Sequence, residues 1–180
     1  MSGPSCSRCF EEDVLRHLSS AYNFARQLTR NQQDAEDIVQ EAYLRALKFY
    51  DRFQGDDARP WLLKIVRNVF YTWVQRKSPR QTIDLGQDVI DRGSQFANPE
   101  EALVQHAKTV LLQKAIEELP EKCHEVIILR EIEEMSYQEI SAVIGAPAGT
   151  VMSRLSRARA RLRQSMTDLI NAAQQTTTEG

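Results

Sequence analysis

The sequence predicts an all-α fold of two small helical domains joined by a flexible linker, the C-terminal domain being a helix-turn-helix. Apolar residues recur at three- and four-residue spacing along most of the chain, and no run alternates as a half-buried strand would. Glycine is scarce, 7 in 180 residues, so breaks fall at few places. Residues 79–98 lose the helical period and contain Gly86, Gly93, Ser94 and Asn98-Pro99, the composition of a linker.

The first helix is expected over 13–29, with Val14, Leu18, Ala21, Tyr22, Ala25 and Leu28 on one stripe. Asn31-Gln32-Gln33 breaks it. Asp34 then reads as an N-cap, with Asp37 adding a carboxylate at the positive end of the helix dipole. Ile38, Ala42, Leu44 and Leu47 carry the apolar side of this second helix. Residues 51–57, with Gly55, read as a loop. Pro60 suits the first turn of a third helix, where a missing N–H is harmless. That helix reaches about Lys77 with Leu62, Ile65, Val66, Val69 and Trp73 inward, and Ser78-Pro79 ends it. Trp61 and Trp73 fit the same apolar face and are assigned to the core.

After the linker a fourth helix starts near Glu100 and stops at Pro120, and a fifth covers 121–134, burying Val126, Ile127 and Leu129. Ser136 and Glu139 form a capping box that opens a short helix through Ile140, Val143 and Ile144. Gly145 closes that helix and Pro147 starts a long one ending near Thr167. The domains are accordingly 10–78 and 100–168, with a linker at 79–99 and a frayed tail at 169–180.

The net charge of −2 hides a segregated distribution. From Ala58 to Ile83 there is no acid against Arg59, Lys64, Arg67, Arg76, Lys77 and Arg80. From Gly149 to Met166 there is none against Arg154, Arg157, Arg159, Arg161 and Arg163. Between them, 117–139 is strongly acidic. Two basic blocks on a mildly acidic chain suit two separate phosphate contacts, although solvated helix faces have the same composition. On the last helix Val151, Leu155, Ala158 and Leu162 make one stripe, which leaves Ser153, Arg154, Arg157 and Arg161 pointing away from the core. Such a face fits a major groove, where arginine pairs with guanine. The N–H groups near Ala148, Gly149 and Thr150 suit a phosphate.

Apolar residues at 42% and charged residues at 27% indicate a globular chain. No stretch has the roughly 18–20 continuous apolar residues of a membrane span, and no secretory signal pattern opens the chain, so a cytoplasmic location is expected. Cys6 and Cys9 form a lone Cys-x-x-Cys in a Gly/Pro/Ser-containing leader, with Cys123 far away. Incidental cysteines, a redox pair and part of a metal site all remain open for them, while a four-ligand zinc site with His17 is not favoured by spacing. His17, His106 and His124 are dispersed, and neither a phosphate-cradling glycine loop nor a nucleophile–base pair is evident. No enzyme activity, catalytic residue, metal or cofactor is expected.

Ser136-Tyr-Gln-Glu-Ile140, together with the run from Gly149 to Leu162, resembles region 4 of the extracytoplasmic-function (ECF) group of bacterial sigma factors. Glu117-Glu-Leu-Pro120 and Val126-Ile-Ile-Leu-Arg130 are similar to the first half of the same region. Asp34-Ala-Glu-Asp-Ile-Val-Gln-Glu41, Leu44-Arg-Ala-Leu47 and Trp61-Leu-Leu-Lys-Ile-Val-Arg-Asn68 resemble region 2. The blocks stand in the family's order and span about 140 residues.

The resemblance implies contacts for core RNA polymerase at its β′ clamp helices, carried by Asp34, Asp37, Gln40, Glu41, Leu44 and Arg45, and a further contact at the β flap. It implies capture of an unstacked −10 base by Phe53 and Gln54, with Arg59, Lys64, Arg67 and Asn68 on the adjacent backbone. Reading of the −35 element falls to Thr150, Met152, Ser153, Arg154, Ser156, Arg157 and Arg161. Met152 stands where the family often has lysine or arginine, and Ser156 where it often has histidine or an aromatic, so promoter preference does not transfer. The linker acids Asp84, Asp88 and Asp91 suit either a segment threaded into the polymerase channel or a solvated tether. Promoter DNA, core polymerase and an anti-sigma factor are the implied partners, and the free chain is expected to be a monomer. A sigma-like decoy that sequesters an anti-sigma factor, or a helix-turn-helix regulator independent of polymerase, are the alternatives; the first does not need the arginine-rich helix and the second leaves the region-2 block unexplained.

Overall fold

The computed structural model describes residues 5–77 and 99–178, which form helices and short connections without a strand. The linker, with Asp84, Asp88 and Asp91, lies outside the described residues, as do the side chains of Cys6 and Cys9. The chain divides into two compact units: residues 1–88 with 128–148, and residues 89–127 with 149–180.

In the first unit, helix α1 (Ser5–Val14) and helix α2 (Leu18–Thr29) are joined by a 3-10 turn at Leu15–His17. The single helix expected over 13–29 is thus interrupted. One turn of the tighter helix rotates the apolar stripe by only about 60°, too little for the sequence period to register it. Arg30 ends α2 in the left-handed conformation (φ 56°), its N–H donating to the Arg26 carbonyl. The cap of helix α3 (Gln32–Phe49) is Asn31, not Asp34: its side chain accepts the Asp34 N–H at 3.0 Å from an extended backbone. Asp34 therefore sits inside the first turn, where its carboxylate still complements the dipole.

Helix α3 buries Ala35, Ile38, Val39, Ala42 and Ala46. The expected inward pair Leu44 and Leu47 is instead 60% and 57% exposed. Alanines at 35, 42 and 46 let the neighbouring helices approach closely, so the broad contact face runs through small residues and the leucines fall beside it. Helix α4 (Ala58–Lys77) packs on both α2 and α3 and buries Leu62, Leu63, Val66, Val69 and Phe70. Ile65, Trp61 and Trp73, expected inside, are half-buried at the edge of that face. Each fully buried Phe24, Ile38, Leu62 or Leu63 contributes about 1.5–3 kcal/mol, which makes α2–α4 the stable centre of this unit.

The same unit includes a one-turn π-helix (Ile128–Ile132) and helix α7 (Tyr137–Ile144), which pack on α2 and α4 respectively. The Ser136/Glu139 capping box is formed, and Gly145 (φ 66°) closes α7 by donating to the Ser141 carbonyl.

The second unit contains helix α5 (Pro99–Glu117), helix α6 (Glu121–Ile127) and most of helix α8 (Ala148–Thr178). The fifth helix expected over 121–134 is regular only to Ile127 before the π turn takes over. Helix α8 continues past Thr167 to Thr178, so most of the tail expected to fray is helical. The stripe Val151, Leu155 and Ala158 is buried, with Leu162 half-buried at its end.

Candidate protein and nucleic-acid interfaces

An apolar groove of about 550 Å³ opens on the surface of the first unit. One wall is the exposed side of α3, with Val39, Gln40, Tyr43, Leu44 and Leu47; the other comes from Phe10, Leu15, Leu18 and Tyr22. Leu15 and Leu18 are exposed because the 3-10 turn sets the end of α1 and the start of α2 against this opening. Tyr43 hangs across it with its hydroxyl donating to the Val14 carbonyl at 3.1 Å. Burial pushes the Tyr43 phenol up to about 12, so it remains a neutral donor.

Of the residues expected to hold polymerase, Gln40 and Leu44 line the groove, and Asp37 and Glu41 are exposed on the same helix. Arg45 pairs with Glu41 one turn away at 2.7 Å. Asp34 is drawn aside by the Lys77 ammonium at 3.0 Å, and Lys77 also lies 4.1 Å from the Trp73 ring centre. Leu18 and Tyr22 belong to the stripe expected over 13–29, yet Leu18 is 48% exposed, because the period alone does not say which members stay uncovered. Leu15 lies outside that stripe, and its place in the groove has no signal in the period.

The loop expected to capture a base is arranged differently from a free platform. Phe53 is half-buried, its ring 5.0 Å from Trp61 and 6.3 Å from Tyr50, with Phe10 edge-on to Tyr50. A Cβ at Gly55 would meet the Phe53 ring at 2.9 Å, so glycine is what lets the chain turn over it. Gln54 is exposed. Asp57 accepts the Arg59 N–H at 2.9 Å and lies 3.6 Å from His17 Nε2. Burial lowers the His17 pKa below its ordinary 6.5, against the opposing pull of Asp57. On α4, Lys64 and Asn68 are exposed, Arg67 covers the Tyr71 ring at 4.7 Å, and Arg59 is turned to Glu133.

On α8, Met152, Ser153, Ser156, Arg157 and Arg161 are exposed, with Thr150 and Arg154 half-buried. Ser153 returns its hydroxyl to the Thr150 carbonyl at 3.1 Å, and Arg157 approaches Ser153 Oγ at 3.5 Å. Arg157 and Arg161 thus stand on a solvent-facing side of α8. No helix among the described residues is long and apolar enough to cross a membrane.

Two family descriptions match: Sigma-70 region 2 over residues 14–80 and Sigma-70 region 4 over residues 109–162. The ECF RNA polymerase sigma factor SigW of Bacillus subtilis is 33% identical over 168 residues, covering 89% of this chain and 90% of that protein. The ECF RNA polymerase sigma-E factor of Escherichia coli is 33% identical over 145 residues, 76% of each. The SigE factor of Mycolicibacterium smegmatis is 33% identical over 154 residues, and this chain spans 60% of its length. Among solved structures, the sigma factor RpoE of Bartonella quintana, in complex with the anti-sigma factor NepR, matches with a TM-score of 0.70 and 28% identity, covering 88% of this chain and 96% of that one. CnrH in complex with the cytosolic domain of CnrY matches with a TM-score of 0.63 and 26% identity, covering 92% and 90%. The chain belongs to the ECF group of bacterial RNA polymerase sigma factors.

Proposed function

We propose that this sigma factor directs promoter recognition in the cytoplasm as a non-enzymatic subunit, gripping core polymerase through residues 10–78 and the −35 element through residues 100–168. The observation that carries the reading is the α3 wall of the groove: Leu44 and Leu47 lie exposed beside Gln40, Asp37 and Glu41. Apolar anchors rimmed by charge are the pattern of a protein-docking face. The β′ clamp helices are the occupant proposed for it. The exposed side of α8 supplies the DNA contact, with Arg157 and Arg161 as base or phosphate donors and Met152, 54% exposed, as an apolar contact for a thymine methyl.

In the loop, Gln54 is the free candidate for a captured base, while Phe53 acts from within its aromatic cluster. Melting is then driven by contacts made only with open DNA. An anti-sigma factor is proposed to hold the chain inactive, in keeping with the similar sigma factor RpoE, whose structure contains one. Reversing the charge at Asp37 (Asp37→Arg) is expected to abolish co-purification with core polymerase; full retention would remove α3 from the interface. The decoy reading predicts no promoter-dependent complex with core polymerase, and the solvent-facing arginines of α8 speak against it.

A further inference from the structure

Arg59 stands in the first turn of α4, where the resemblance to region 2 implies a contact from its guanidinium to the backbone of the −10 strand. In the folded chain that guanidinium is already occupied. Its Nη2 donates to the Glu133 carbonyl oxygen and, at 2.8 Å, to Glu133 Oε2. Glu133 is only 4% exposed, and Arg59 Nε is buried with no hydrogen-bond partner among the described residues.

The backbone around Glu133 is shaped for this contact. The π turn at Ile128–Ile132 ends with the Glu133 N–H donating to the Ile128 carbonyl at 3.1 Å. Glu134 follows with φ 54°, a left-handed conformation that side-chain-bearing residues rarely adopt. Arg130 fastens the far end by donating to the Met135 carbonyl at 2.7 Å. In this backbone Glu133 presents its main-chain carbonyl and one carboxylate oxygen to the same guanidinium nitrogen.

We propose that this pair is a latch by which the free chain withholds Arg59 from DNA, a proposal that rests on reading Arg59 as a strand contact. A phosphate and the Glu133 carboxylate compete for the same guanidinium, and each occupancy weakens the other. Glu133 left buried without its counter-charge would be strongly unfavourable, so release requires residues 128–148 to move off α4 and admit water to the carboxylate. The latch is therefore a two-state element and not a side chain changing partners. Arg59 Nε, unpartnered in the closed state, gains an acceptor in the open one.

The test uses the full chain and a fluorescein-labelled single-stranded DNA of mixed sequence at low salt, read by anisotropy. Glu133→Gln keeps the shape and weakens the hold on Arg59, and should tighten binding about tenfold if roughly a tenth of the wild-type chain is open. Arg59→Ala should cancel that gain in the double variant. Hydrogen exchange should quicken in the first turn of α4 and in α7 of Glu133→Gln while α2 stays protected, which also shows that the variant is folded. Unchanged affinity together with unchanged exchange would overturn the latch. Open-complex formation by the Arg59→Ala holoenzyme separates the two readings. A loss there with no gain from Glu133→Gln leaves Arg59 a strand contact and refutes the latch, whereas no loss there refutes Arg59 as a strand contact and with it the inhibitory role.

Discussion

Truncating Leu44 to alanine separates docking from stability, because the side chain lies 60% exposed in the free chain. Full burial of a leucine contributes about 1.5–3 kcal/mol, so covering the exposed remainder on docking contributes about 1–2 kcal/mol. Leu44→Ala should then weaken association with core polymerase about five- to thirtyfold. Its thermal transition should move little, since less than half of the side chain is buried in the fold. Ile38, one and a half turns earlier and 1% exposed, is the control: Ile38→Ala should destabilise the chain by about 2–5 kcal/mol. The assay is a binding titration of labelled chain with core polymerase, beside thermal melts of the free protein. An unchanged affinity for Leu44→Ala, or a loss of stability comparable to that of Ile38→Ala, would refute the assignment of the groove.

Arg157→Ala should weaken binding of holoenzyme to its promoter by about 1–3 kcal/mol if the residue reads a base, and an equal loss on every sequence would make it a phosphate contact. Gly145→Ala should cost about 1–2 kcal/mol in thermal unfolding, since an added Cβ meets no atom within 4 Å and the penalty is the left-handed backbone alone. Glu134→Gly should stabilise the chain by about 1 kcal/mol through relief of the same strain, in the same melts. His17 binds its proton less readily folded than unfolded, so its contribution is complete above pH 6.5 and declines as the pH falls from there to its lowered folded value. His17→Asn should flatten the fall of the melting temperature across that interval, and an unaltered slope would show that His17 does not titrate there.

The helical class, the capping box at Ser136 and Glu139, the glycine stop at 145 and the buried stripe of α8 were legible because each is a local rule. Caps and periods act within one or two turns, where sequence neighbours are spatial neighbours. The misreadings have other causes. Leu44 and Leu47 were placed inward because they are large and apolar, yet α3 turns its alanines to its neighbours, and only tertiary packing decides which side is covered. Asn31 took the cap from Asp34 because the helix starts one turn earlier, a choice that both side chains permit. The π turn has no sequence signature at all, since its five residues are ordinary helix formers.

Arg59 shows that residue type does not by itself say what a side chain contacts. The acid-free stretch around it marks α4 as a basic face, and its neighbours Lys64 and Asn68 are indeed exposed. Arg59 itself meets a glutamate 74 positions away, supplied by the acidic block between the two basic ones. Charges of opposite sign separated along a chain attract one another as strongly as they attract outside partners. Segregated charge therefore equips a chain with an internal competitor for its own arginines wherever the fold brings the two blocks together, as it does at Arg59 and Glu133.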